Sequence, residues 1–88
     1  MDEKIQKIMQ EKIDETMWKV NEITSLINSL DLPSDKNSFG YGVIIGRLYN
    51  SFYYQSRRIL KRDPTEQEFS EFIKLLEEHK NELSEITS

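Results

Sequence analysis

Pro33 and Pro64 are the only prolines in the chain, and they divide it into three runs of helical apolar periodicity. In the first run, apolar residues fall at Ile5, Ile8, Met9, Ile13, Met17, Val20, Ile23, Ile27 and Leu30. Steps of three and four place them on one face of a helix. No Pro or Gly interrupts the run, and Asp2 and Glu3 suit the positive N-terminal end of a helix dipole. The spacing predicts one helix over residues 2–30, on the order of 40 Å long. Pro33 disfavours helical geometry at Leu32, and the Ser, Asp and Asn residues around it favour a loop. Ser38 is the best candidate cap for the helix that follows.

That second helix is expected over residues 39–61. Tyr41, Ile44, Ile45, Leu48, Tyr49, Phe52, Ile59 and Leu60 form an apolar face wider than the ~100° stripe of an ordinary surface helix, so it is expected to touch two neighbours. Gly40, Gly42 and Gly46 weaken its first turns by about 1 kcal/mol each relative to Ala, which suggests close packing of a neighbouring helix there. Gly42 and Gly46 share a side with Tyr49 and Tyr53. The third helix, 64–86, is expected to start at Asp63, with Pro64 in the first helical position and Glu66 completing a capping box. Its apolar face is Phe69, Phe72, Ile73, Leu76, Leu83 and Ile86, fraying near Thr87. The short connection between the last two helices forces them antiparallel. These readings combine into an all-α, antiparallel three-helix bundle, one domain over residues 1–88.

Length limits the rest. Eighty-eight residues leave no room for a second core. With no Cys, disulfides, thiol nucleophiles and Cys-type zinc sites are excluded. The first thirty residues lack the basic start and apolar run of a signal peptide, and Val43–Ile45 is far too short to span a bilayer. The expectation is a cytoplasmic chain with no membrane contact.

Charge is unevenly placed. Residues 36–62 carry six basic residues, no Asp or Glu, and six of the nine aromatic rings, while the chain as a whole has a net charge of −4. Such a segment between acidic flanks is either an internal charge complement or a binding face. Arg47, Tyr54, Arg58 and Lys61 fall within about 60° of one another on a helical wheel, opposite the apolar face. With Arg57 and Arg62 they form the candidate binding face. Arginine forks and tyrosine rings could hold phosphates and stack on bases. Overall acidity opposes non-specific phosphate attraction and favours the charge-balance reading.

Trp18 lies nearly opposite the apolar stripe of the first helix and is a candidate partner contact, together with Gly42, Gly46 and Tyr53. His79 sits on the apolar face of the third helix, where a ring hydrogen-bonded across the bundle is expected. No metal site is expected: the Glu-x-x-His pattern of di-iron bundles would need Glu where Leu76 stands. No cofactor-binding, phosphate-loop or hydrolase motif occurs, so no catalytic residue, cofactor or small-molecule substrate is expected.

The segment Ile59–Phe69 resembles the approach to helix-turn-helix regions of bacterial sigma factors. The resemblance covers some eleven residues and then ends: residues 69–83 are expected to continue as unbroken helix, where that motif needs a turn. The function expected from the sequence is a small non-enzymatic helical protein–protein interaction module, with self-association as a homodimer. The alternative is a nucleic-acid-binding protein using the basic, Tyr-rich face.

Overall fold

A computed structural model describes residues 1–30 and 35–85. Five helices follow in order: α1 Glu3–Trp18, α2 Val20–Ser29, α3 Lys36–Leu60, α4 Glu66–Glu78 and α5 Lys80–Glu85, with no strand among the described residues. The expected all-α bundle is present, but two of its three helices are divided. The readings placed on Leu32, Pro33, Ile86 and Thr87 lie outside the described residues.

The first division, at Lys19, occurs without Pro or Gly. Thr16 is fully buried and its hydroxyl donates to the Lys12 carbonyl at 2.8 Å. Back-bonding of this kind bends a helix. Three residues later the Lys19 N–H is shared between the Glu15 and Thr16 carbonyls at 3.1 and 3.2 Å. The ladder resumes with Ile23 N–H to the Lys19 carbonyl at 3.0 Å. The expected single helix over 2–30 is therefore corrected to two, α1 and α2, which meet at Lys19. At His79 the pattern repeats: its N–H bonds the Leu76 carbonyl at 3.1 Å, and Leu83 N–H bonds the His79 carbonyl at 3.0 Å. The unbroken helix expected over 69–83 is corrected to α4 and α5.

Two caps also differ from expectation. α3 begins at Lys36 because Asp35, not Ser38, is its cap: Asp35 accepts from the Asn37 N–H at 3.0 Å and from the Ser38 hydroxyl at 2.9 Å. Those bonds, that from Ser38 first, hold the Asp35 carboxyl below its usual range. α4 begins two residues later than expected, with Thr65 as its cap. Thr65 Oγ1 accepts from the Glu68 N–H at 3.1 Å and Glu68 Oε1 accepts from the Thr65 N–H at 2.8 Å, a reciprocal capping box. The Asp63–Glu66 pair could have served the same role. Asp63 instead accepts from Arg57 Nε at 2.6 Å, while Arg62 draws Glu68 into place. Pro64 thus precedes the cap, and with Phe69 it borders one aromatic recess, as the residues of a hydrophobic staple would.

α3 is the centre of the bundle. Glu15 of α1 reaches Arg47, Lys4 and Lys7 line a cleft with Arg58, and Ile23 and Leu26 of α2 border a recess with Val43. Positions on α3 fall as those on α1–α2 rise, so the two run antiparallel. Tyr49 meets Phe69 and Tyr53 lies beside Pro64, whereas Ile45 lies beside Ile73, which makes α4 antiparallel to α3. The core contains Ile5, Met9 and Ile13 of α1, Ile23 and Ile27 of α2, Ile44, Leu48 and Phe52 of α3, and Phe72, Leu75 and Leu83 beyond. Phe52 and Phe72 stack with ring centroids 4.4 Å apart and planes 3° from parallel. α4 is rotated slightly from the expected face, so that Leu75 is buried and Ile73 is 40% exposed.

Candidate functional site

The cations of the candidate binding face are mostly engaged. Arg47 Nη2 donates to Glu15 Oε1 at 3.0 Å, across from α3 to α1. Arg57 pairs with Asp63 and lies over the Tyr53 ring, with its guanidinium carbon 5.6 Å from the centroid. Arg62 forms a bidentate pair with Glu68, at 2.7 and 3.2 Å. That fork, aided by the Thr65 N–H, lowers the Glu68 carboxyl to about 2. Arg58 differs: its Nε donates to the neutral Oε1 of Gln55 at 3.0 Å, and Gln55 is itself buried. Lys61 is exposed and closes α3 in the left-handed conformation, with φ 60°. Tyr54 is 60% exposed. Among the described residues, Arg47, Arg57 and Arg62 are thus bound to carboxylates, while Tyr54, Arg58 and Lys61 are not.

The candidate partner contacts separate into two surfaces. Gly42, Gly46 and Tyr53 follow one outer side of α3. Both glycines are exposed, and a Cβ built on either would meet nothing within 4 Å. Among the described residues, the close helix contact expected at Gly42 and Gly46 is therefore absent. α1 and α2 pack on the opposite side of α3, where Gly40 is buried. Tyr53 is partly buried and stacks on Tyr49 with centroids 5.2 Å apart.

Trp18 belongs to another patch and is 87% exposed. At four-residue steps Trp18, Glu22, Leu26 and Leu30 wind gradually around α1–α2, each turned about 40° from the one before. Leu26 and Leu30 are 47% and 45% exposed. Beside them lies a recess of about 320 Å³ between α2 and α3, floored by Ile23, Leu26 and Val43 and rimmed by Lys19, Glu22 and Arg47. Leu26 stands off the stripe that buries Ile23 and Ile27, whereas Leu30, expected on the apolar face, is corrected to an exposed position.

His79 bonds along its own chain, not across the bundle: Nδ1 lies 3.4 Å from Glu82 Oε2. Among the described residues no group of three or more His, Cys, Asp or Glu side chains is placed to hold a metal ion. Among them, too, no helix is long and apolar enough to cross a membrane. Comparison with protein families, curated proteins and solved structures finds no match for this chain.

Proposed function

We propose that this chain is a small non-enzymatic protein–protein interaction module of the cytoplasm that self-associates through the Trp18–Leu26–Leu30 side of α1–α2. The observation that carries this reading is the near-complete exposure of Trp18, with exposed Leu26 and Leu30 farther along the same helical segment. A tryptophan buries on the order of 200 Å² when covered, and it is among the commonest interface anchors. Grouped apolar exposure of this kind on a small domain marks a contact surface. A twofold dimer covers the same patch on both copies at once, which suits an 88-residue bundle with little core of its own. The rim carries both signs of charge, Lys19 and Arg47 against Glu22. The alternative, nucleic-acid binding by α3, has weaker support because Arg47, Arg57 and Arg62 already hold acidic partners.

Trp18 is the only tryptophan, so it reports on its own surroundings. Sedimentation equilibrium at roughly tens of micromolar protein, a range suited to weak dimers, is expected to show a dimer. Fluorescence emission is expected to shift to the blue as concentration rises. Leu26→Glu is expected to restore the monomer and leave helical circular dichroism unchanged. A monomer throughout that range, with emission that never shifts, overturns the proposal.

A further inference from the structure

A surface cleft of about 490 Å³ lies between the first turns of α1 and the end of α3. It is lined by Lys4, Lys7, Ile8 and Glu11 from α1 and by Arg58 and Ile59 from α3. In a chain of net charge −4, this is a concentration of positive charge. Neither Lys4 nor Lys7 makes an ion pair among the described residues. Arg58 is the arginine whose bonded acceptor is a neutral amide: the buried Gln55 takes its Nε–H at 3.0 Å. That bond holds one edge of the guanidinium, while its Nη groups make no bond to a carboxylate among the described residues. The internal charge balance that accounts for Arg47, Arg57 and Arg62 does not account for these cations.

We infer that the Lys4–Lys7–Arg58 cleft binds a phosphate monoester group carried on an apolar body. Three cations against the single carboxylate of Glu11 leave two positive charges at the cleft. A phosphate monoester carries a charge of about −1.5 to −2 at pH 7 and so matches them. Guanidinium forks pair with two phosphate oxygens together, and lysine ammonium groups add point charge from the sides. Ile8 and Ile59, both half-buried, give the cleft an apolar floor that a bare ion would leave unused. The group could belong to a small phosphate ester or to a phosphorylated side chain of a peptide. The cleft is distinct from the Trp18 patch, so either proposal can fail alone.

The test is an amide-resolved NMR titration of the full chain with inorganic phosphate, phenyl phosphate and a short phosphotyrosine peptide. Phenyl phosphate is expected to produce saturable shifts at Lys4, Lys7, Ile8, Arg58 and Ile59, weakening as salt rises. Arg58→Gln, and separately the pair Lys4→Gln and Lys7→Gln, are each expected to weaken binding about tenfold or more, since each removes a charge-assisted contact. Circular dichroism of each variant checks that the fold survives. Tighter binding of the peptide assigns the phosphorylated side chain, and equal binding assigns the small ester. No saturable shift at these residues with any probe, or affinities unchanged in both variants, overturns the site. Inorganic phosphate binding as tightly as phenyl phosphate overturns the role given to Ile8 and Ile59.

Discussion

Arg47 Nη2 and Glu15 Oε1 stand 3.0 Å apart, and through this contact the centre of α3 is tied to the last turn of α1. Glu15 also receives Lys12 and Lys19, each at 3.4 Å, so three cations converge on one carboxylate. They hold its carboxyl below the ordinary range, with Lys12 the largest cause. Arg47 enters this cluster with its Nε buried and without a hydrogen-bond partner among the described residues. At this point the basic segment and its acidic flank meet inside one molecule.

The cluster has an asymmetric consequence for mutation. Arg47→Met removes a charge together with an unsatisfied buried donor, and a linear apolar side chain can follow the same path. Its melting temperature is expected to stay close to that of the parent. Glu15→Lys leaves Lys12, Lys19 and Arg47 facing a fourth cation, and its melting temperature is expected to fall. Thermal unfolding by circular dichroism measures both. A large loss in Arg47→Met would show that the ion pair itself holds α1 on α3.

Phe52 and Phe72 join α3 to α4 in a parallel stack at 4.4 Å, and both are buried. Phe72→Ala is expected to destabilise the bundle by about 3–5 kcal/mol, through lost transfer energy and the cavity left behind. Phe72→Leu should retain more than half of that. Urea denaturation provides the comparison. Equal losses in the two variants would mean that ring stacking, rather than filled volume, dominates.

The outer face of α3 reverses an inference drawn from composition. The sequence shows two glycines four residues apart in a helix, and their helical penalty suggests a neighbour pressed against them. The structure leaves both open to solvent. Gly46→Ala is accordingly expected to stabilise the monomer by up to about 1 kcal/mol, since helix propensity is the only force acting there. A fall in stability would show that something approaches this backbone closely.

Lys61 ends α3 with φ 60° and ψ 30°, and its N–H bonds the Arg57 carbonyl at 3.1 Å. A side chain in this left-handed region costs about 1–2 kcal/mol, which glycine avoids. Lys61→Gly is expected to raise the melting temperature without changing helix content. No rise would mean that the lysine side chain contributes as much as its conformation costs.

How much of this was legible depended on which signals were local. The apolar steps from Ile5 to Ile27 gave the buried face of α1 and α2 correctly, because period alone decides which side turns inward. The divisions were hidden, since neither Lys19 nor His79 is a helix breaker. The available hint was Thr16, a residue able to back-bond, standing on the buried stripe. Caps were half legible. Asp63–Glu66 and Thr65–Glu68 have the same spacing, and the ion pairs Arg57–Asp63 and Arg62–Glu68 choose between them. The exposure of Trp18 followed from its position, whereas the Lys4–Lys7–Arg58 cleft joins residues more than fifty positions apart and no periodicity announces it.

Glu68 carries the clearest pH dependence in the chain. Its carboxyl is held at about 2, against 4.5 for an unperturbed glutamate, first by the Arg62 side chain and next by the Thr65 N–H. A carboxyl whose folded value is depressed contributes stability that is fully present above the unfolded value. That contribution is lost as pH falls through the interval from 4.5 to about 2. Glu68→Ala removes both the reciprocal cap of α4 and the fork to Arg62, and is expected to cost about 1–2 kcal/mol at neutral pH. Glu68→Gln can still accept from the Thr65 N–H, so it should lose less. The decisive measurement is urea unfolding of the parent and both variants at pH 7, 4.5 and 2.5. The gap between the parent and Glu68→Gln should narrow steadily toward the acid end. A gap that stays constant across that range would show that the Arg62 fork contributes nothing, leaving the capping bonds alone to set where α4 begins.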